Sequence, residues 1–143
     1  MEWYESKVIV GGNTEGEVLF SEIPLSFWGG VNVSDGYIMD VRHDLHGQCM
    51  KDKVLCIPFD KGSCSGSGIM LEMIRRRTAP LAILCVEAEP VLSLGSVMGY
   101  RIYQRGVVIH TVTDEIYQKL KDAKSIEFDD KGRIRAVRYE NNS

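Results

Sequence analysis

KVLCIPFDKGSCSGSGIMLEMIRRRTAPLAILCV, residues 53–86, contains two apolar runs separated by a glycine- and serine-rich junction and an amphipathic stretch. The runs are KVLCIPF (53–59) and LAILCV (81–86). Uninterrupted apolar runs of this length indicate strands buried on both faces, as in the middle of a parallel sheet. We therefore expect two central strands here.

The stretch between the two runs predicts a helix over residues 65–76. Met70, Met73 and Ile74 recur at the i, i+3, i+4 spacing of a buried helix face. Pro80 follows where this pattern stops, as expected after the end of a helix. Strand, helix and strand in this order predict a right-handed βαβ unit with parallel strands.

The rest of the chain predicts a mixed α/β fold rich in strands, with residues 1–143 forming a single domain. Asp114 is the expected N-cap of a helix over residues 114–123. A turn at residues 130–132 is expected to close a C-terminal hairpin. The other predicted elements are strands at KVIV (7–10), EVLF (17–20), YIMDV (37–41) and RGVVIHTV (105–112), and a helix at PVLSLGSVMGY (90–100).

Composition excludes several classes of function. The 143 residues include 17 Lys and Arg and 20 Asp and Glu, so the formal net charge is -3. This balance leaves no basic excess for nucleic acid or an anionic membrane. No apolar run approaches the ~20 residues of a membrane span, and the N-terminus lacks a signal-peptide pattern. We expect a cytoplasmic protein without nucleic-acid or membrane partners.

The junction FDKGSCSGSG (59–68) contains three serines, one cysteine and three glycines directly before the predicted helix. The first N–H groups of a helix lack intrahelical partners and, with the helix dipole, attract negative charge. The junction therefore suits binding an anionic group or activating a serine or cysteine. It matches neither G-x-x-x-x-G-K-[ST] nor G-x-S-x-G. The structural alternative is that Ser63 or Ser65 only caps the helix.

Other chemically capable residues have competing interpretations. His43 and His46 form an H-x-x-H pair that would need a third ligand to bind a metal, so we favour polar contacts in a loop or an interface and expect no metal site. Trp28 is either a core residue or lies at the mouth of a site. Cys64 could act as a nucleophile only with a base nearby in space. The residues expected to be structural are Cys56, Cys85 and His110.

Four strings together resemble the small subunit of aconitase X: PLSFWGGV (24–31), HDLHG (43–47), KVLCIPFDKGSCSGSG (53–68) and TAP (78–80). The resemblance implies a swivelling β/β/α domain with a mixed sheet. It also implies a dehydratase built from two chains, active only with its large subunit. That large subunit carries an iron–sulfur cluster and most of the active site, so this chain alone binds no cofactor.

The resemblance also implies roles for individual residues. The swivel loop of the superfamily typically reads Gly-Ser-Ser-Arg. Here Gly62 and Ser63 match it, Cys64 takes the place of the second serine, and Ser65 takes the place of the arginine. This correspondence makes Ser63 the catalytic base. The implied substrate-binding residues are Cys64, Ser65, Ser26 and Trp28.

Two small carboxylate substrates occur in this family, cis-3-hydroxy-L-proline and phosphomevalonate. The string GSCSGSG resembles the hydroxyproline branch, because archaeal phosphomevalonate subunits favour a Ser-Ser-Thr-Gly-Ser type of loop. Lys61 is the only nearby cation for a phosphate group. The alternative from another class of function is that this chain is a non-catalytic module, which binds an anion at the same helix start or regulates another protein.

Overall fold

Strands and helices alternate in the middle of the chain, between three consecutive strands at its start and two at its end. A computed structural model of the protein describes residues 2–61, 66–88 and 90–138. Its strands are β1 (Glu2–Glu5), β2 (Lys7–Val10), β3 (Thr14–Phe20), β4 (Val54–Cys56), β5 (Ala82–Cys85), β6 (Val108–Thr111), β7 (Ala123–Phe128) and β8 (Arg133–Arg138). Its helices are α1 (Phe27–Gly30), α2 (Gly66–Arg76), α3 (Pro90–Tyr103) and α4 (Asp114–Lys119).

The centre of the sheet is parallel, as predicted. β4 pairs with β3 on one side and with β5 on the other, and β5 pairs with β6. The helix α2 connects β4 to β5 and matches the predicted span, except that Ser65 lies outside the described residues. Because all four strands run in one direction, their carboxyl ends meet at a single edge, and the β4–α2 junction leaves the sheet there.

The sheet curls until its two ends meet. The strand order is β1-β8-β7-β3-β4-β5-β6-β2, so β1 and β2 are the two end strands. Only Ser6 separates these two strands in the sequence. β3 carries the bend, because residues 14–17 pair with β7 and residues 18–20 pair with β4. The result is a nearly barrel-like mixed sheet, which confirms the predicted fold class.

Alternate residues of the central strands belong to two separate apolar cores, because successive side chains of a strand point to opposite faces. Leu55 and Ile83 belong to the core that contains Met70 and Met73 of α2. Cys56 and Leu84 belong to the second core, which includes Tyr117 of α4, its C-cap Leu120, and residues of β7 and β8. Cys56 and Cys85 are both buried, so the prediction of core thiols is confirmed.

A buried histidine joins the two ends of the sheet. The Ser6 N–H donates to the Gly132 carbonyl at 2.8 Å, and the Ser6 hydroxyl lies 2.7 Å from Nδ1 of His110. The His110 ring is fully buried, with Phe128 edge-on at 5.0 Å between ring centroids. Burial lowers the pKa of His110, while the carboxylate and backbone of Asp129 act in the opposite direction. His110 is therefore structural, as expected.

The helices α2 and α3 pack closely because two glycines of α3 face α2. A Cβ added at Gly95 would lie 2.6 Å from the carbonyl oxygen of Ser67. A Cβ added at Gly99 would lie 2.7 Å from a methyl group of Ile74 and 2.9 Å from the Arg105 carbonyl oxygen. The small residues thus set the distance between the two helices.

Two local predictions differ from the structure. YIMDV (37–41) forms only isolated bridges, from Ile38 to Val31 and from Tyr37 to Cys49, because the chain turns on both sides of it. The N-cap of α4 is Thr113, whose Oγ1 accepts the Ile116 N–H at 3.3 Å, so the Asp114 assignment was wrong by one residue. Asp114 instead supplies negative charge to the first helical turn.

We expect Gly95→Ala to destabilise the protein, although alanine normally favours a helix over glycine. The added methyl group would clash with the backbone of α2, and overpacking typically costs about 1–3 kcal/mol. Gly68→Ala is the matched control, because nothing lies within 4 Å of its Cβ position, and it should raise stability by about 0.5–1 kcal/mol. Urea unfolding measures both; equal effects of the two variants would contradict the proposed close packing.

His110→Asn should flatten the acid dependence of stability. The folded-state pKa of His110 lies below its unfolded value, so the unfolded chain binds more protons as pH falls below about 6.5. The wild type should then lose up to about 1.4 kcal/mol per pH unit relative to the variant, until the pH reaches the folded-state pKa. Urea unfolding of both proteins between pH 7.5 and 5 tests this. Parallel curves would show that His110 does not titrate on unfolding.

Candidate active site

The candidate site lies where β4 leads into α2, at the carboxyl edge of the parallel strands. Residues 62–65 lie outside the described residues, and with them Ser63, Cys64 and Ser65. Both flanks are described: Asp60 and Lys61 precede the gap, and α2 begins at Gly66. The first turn of α2 contains no acidic residue, so no nearby carboxylate on that turn offsets the positive end of its dipole.

Asp60 links this junction to the SFWGG string. Its side chain is buried, with the residue 4% exposed, and Oδ1 accepts the Phe27 N–H at 3.1 Å. Leu25 and Asp60 form a parallel bridge, and the Lys61 N–H donates to the Leu25 carbonyl at 3.1 Å. The segment that enters the 62–65 loop is therefore held against residues 25–27. The SFWGG string and the start of the junction, which are far apart in sequence, therefore lie side by side.

The SFWGG string points one aromatic side chain inward and the next outward. Phe27 is fully buried, whereas Trp28 is 61% exposed. Gly29 adopts a φ of 80°, a left-handed conformation that glycine tolerates without strain. Of the two interpretations of Trp28, the core residue is wrong. The Ser26 hydroxyl donates to the Trp28 carbonyl at 2.9 Å, so it fixes the turn that presents the indole.

A small cleft opens beside Asp60 at the ends of β4, β5 and β6. Cys85 lies in its wall, and burial, followed by the negative charge of Asp60, raises the pKa of this thiol to about 12. The thiol therefore stays protonated at neutral pH and is no nucleophile. The residues that line the cleft are Ile57, Asp60, Ile83, Cys85, Glu87, Ala88, Leu92, Ser93 and Ile109.

His43 holds the loop that precedes SFWGG. Its Nδ1 accepts the Leu45 N–H at 3.1 Å, and its Nε2 donates to the Ile23 carbonyl at 2.9 Å. Ser21 donates its hydroxyl to Asp44 at 2.6 Å within the same cluster. Both ring nitrogens of His43 are thus engaged in loop contacts. Within residues 2–61, 66–88 and 90–138, no group of three or more His, Cys, Asp or Glu side chains could hold a metal ion.

Sequence reasoning missed the role of Asp60. The residue follows an apolar strand directly, where a carboxylate must be satisfied if it is buried, and this is the signal that could have identified it. Its partner, the Phe27 N–H, lies 33 residues away and leaves no local pattern.

In the described part of the chain, no helix is both long and apolar enough to cross a membrane.

Comparisons with known proteins agree on one family. The family model of the aconitase X swivel domain matches residues 3–136. The phosphomevalonate dehydratase small subunit of Methanothermobacter thermautotrophicus is 38% identical over 133 residues, which are 92% of this chain and 97% of that protein. The crystal structure of Thermococcus kodakaraensis aconitase X (holo-form) superposes with a TM-score of 0.83 at 33% identity, covering 96% of this chain and 99% of that chain.

A second kind of relative is much longer. The cis-3-hydroxy-L-proline dehydratase of Hypocrea jecorina is 38% identical over 113 residues, which are 78% of this chain and only 19% of that protein. The segment similar to this chain is therefore one part of a larger polypeptide there. Since the family match spans almost the whole chain and the fold agrees, this protein belongs to the aconitase X swivel domain family.

Proposed function

We propose that this chain is the small subunit of a two-chain aconitase X-type dehydratase, and that Ser63 is its catalytic base. The observation that carries the proposal is the hydrogen bond between Phe27 N–H and the buried Asp60 carboxylate, within a domain of this family. It joins SFWGG to the start of the 62–65 loop. A second chain would complete the site at this junction.

The proposed reaction removes a proton from carbon and expels a hydroxyl group. A proton α to a carboxylate is weakly acidic, so the base must be strong. The start of α2 would stabilise a Ser63 alkoxide through its free N–H groups and its dipole. The same N–H groups, with Cys64 and Ser65, would orient the substrate carboxylate, since the loop lacks the arginine of related loops.

The remaining parts of the site would come from the large subunit. The resemblance places the iron–sulfur cluster there, where it would supply a Lewis acid for the leaving hydroxyl group. On this chain, Trp28 would close over the substrate from the SFWGG side, with Ser26 holding its backbone. The exposed indole and the engaged Ser26 hydroxyl fit these roles.

The proposed substrate is cis-3-hydroxy-L-proline, which would lose water to give an enamine that tautomerises to a cyclic imine. Lys61 is the only Lys or Arg between residues 54 and 74, which favours a substrate without a phosphate group. Phosphomevalonate is the second candidate. It is favoured by the Methanothermobacter relative, which this chain matches over nearly its full length.

Co-expression with the large aconitase X-type chain of the same genome tests the class of function. We expect a stoichiometric complex that dehydrates cis-3-hydroxy-L-proline, and no turnover by either chain alone. Turnover of phosphomevalonate instead would change the substrate but keep the reaction class. If this chain is instead a regulatory module, turnover by the large chain should not require it. Turnover by this chain alone, free of metal, would contradict the two-chain proposal.

Ser63→Ala should abolish turnover while the fold and the complex persist. Loss of a general base typically lowers the rate by about 10²–10⁴-fold, or roughly 3–5 kcal/mol of barrier. The loss of a helix cap costs only ~1 kcal/mol, which a folded domain survives. Steady-state kinetics, thermal melts and complex formation are measured together.

Three further variants rank the loop residues. Ser65→Ala should have an intermediate effect, and Cys64→Ser the mildest, because it restores the serine of related loops. Ser125→Ala in β7 removes a hydroxyl far along the chain and should behave as wild type. An inactive Cys64→Ser with an active Ser63→Ala would identify the thiol as the working group and remove Ser63 from the mechanism.

A further inference from the structure

The helix α3 has an unusual distribution of side chains. Three of the residues that it buries against α2 and the segment before β6 are small, namely Gly95, Ser96 and Gly99. Ser96 fixes this inner face, because its hydroxyl donates to the Val107 carbonyl at 2.6 Å and accepts the Val107 N–H at 2.8 Å. The glycines leave no space for larger side chains between the two helices.

Four large apolar residues of α3 point to solvent instead, whereas Leu92 of the same helix is buried in the core. Leu94 is 54% exposed and Ile102 is 53% exposed, with Val97 and Met98 between them on the same side. Their positions follow the i, i+3, i+4, i+8 spacing of a single helical stripe. We call these four residues the α3 outer face. Arg101, the only charged residue of this 14-residue helix, is also exposed and lies on the same side, three residues after Met98 and four after Val97.

This arrangement is the reverse of an ordinary surface helix, which turns its apolar stripe to the core and its charges to water. An exposed stripe of four large apolar side chains with a single charge is typical of a surface that another chain covers. Because Gly95, Gly99 and Ser96 already fix α3 in place, the fold itself does not explain the four outward side chains.

The position of α3 indicates which chain covers it. The first turn of α3 contributes Leu92 and Ser93 to the cleft beside Asp60, and a Cβ at Gly95 would lie 2.6 Å from the Ser67 carbonyl oxygen at the start of α2. Leu94 therefore lies at the end of α3 nearest the candidate site, and the α3 outer face runs from there to Ile102. In the Hypocrea relative, about four-fifths of the polypeptide lies outside the segment similar to this chain, so the domain works there as part of a larger protein.

We infer that the α3 outer face is a docking surface for the large dehydratase chain, an inference that rests on the proposed function above. The large chain would approach over the open cleft and extend along α3 from Leu94 to Ile102. The stripe of large apolar side chains fits an apolar patch on the partner, as at the centre of stable interfaces.

The test uses the large aconitase X-type chain of the same genome, titrated with this chain by isothermal calorimetry. Leu94→Glu and Ile102→Glu should each raise Kd at least tenfold, because a charge would be buried against an apolar surface. Trp3→Glu is the matched control, since Trp3 is 47% exposed on β1 at one end of the strand order. It should change Kd less than twofold.

Two measurements separate docking from folding and from catalysis. Thermal melts of the isolated variants should stay close to wild type, because the replaced side chains are exposed. At saturating large chain, turnover by Leu94→Glu and Ile102→Glu should return to within twofold of wild type. A docking residue shifts the concentration needed for activity and leaves the rate of the assembled enzyme unchanged.

The outcomes are distinguishable. If the wild-type chain does not bind the large chain, both the proposed function and the α3 inference fail. If the wild type binds and both glutamate variants bind within twofold of it, the α3 inference alone fails. If this chain forms a dimer that Leu94→Glu dissociates without weakening the large-chain complex, the α3 outer face contacts a second copy, and the inference is overturned.

Discussion

The parallel pairing of β4 with β5 constrains everything that follows in this fold. A parallel pair cannot be closed by a tight turn, so the chain must cross over through α2 and return to the start of β5. The crossover leaves the sheet at the carboxyl edge, where β5 and β6 also end. The glycine- and serine-rich junction, the start of α2 and the cleft beside Asp60 therefore lie at the same edge.

At this shared edge, Asp60 connects the β4–α2 junction to the SFWGG string. A carboxylate buried at the end of an apolar strand would be costly without partners, and the Phe27 N–H provides one. The same bond holds the backbone of the SFWGG string, which exposes Trp28 and buries Phe27. The position of the indole and the path of the chain into residues 62–65 consequently depend on one another, and neither can shift alone.

The βαβ unit could be predicted because its signals are local: apolar runs of strand length and a helical period between them. β1 could not, since EWYE has no apolar alternation and forms a strand only by pairing with β8, where Arg133 and Arg135 lie over the Trp3 ring. The same limit applies to the site. The composition of residues 59–68 indicated anion chemistry, whereas the contact of Asp60 with Phe27 depends on a pairing that no local pattern records.

The packing of α2 on α3 also bears on how a two-chain enzyme could work. A swivel domain that contacted its partner only at the candidate site would have to use the same residues for docking and for binding substrate. The α3 outer face is anchored through Gly95, Gly99 and Ser96, independently of the loop. Contact along α3 would let the domain hold its partner with residues that take no part in the chemistry, because the two surfaces meet only at the first turn of the helix.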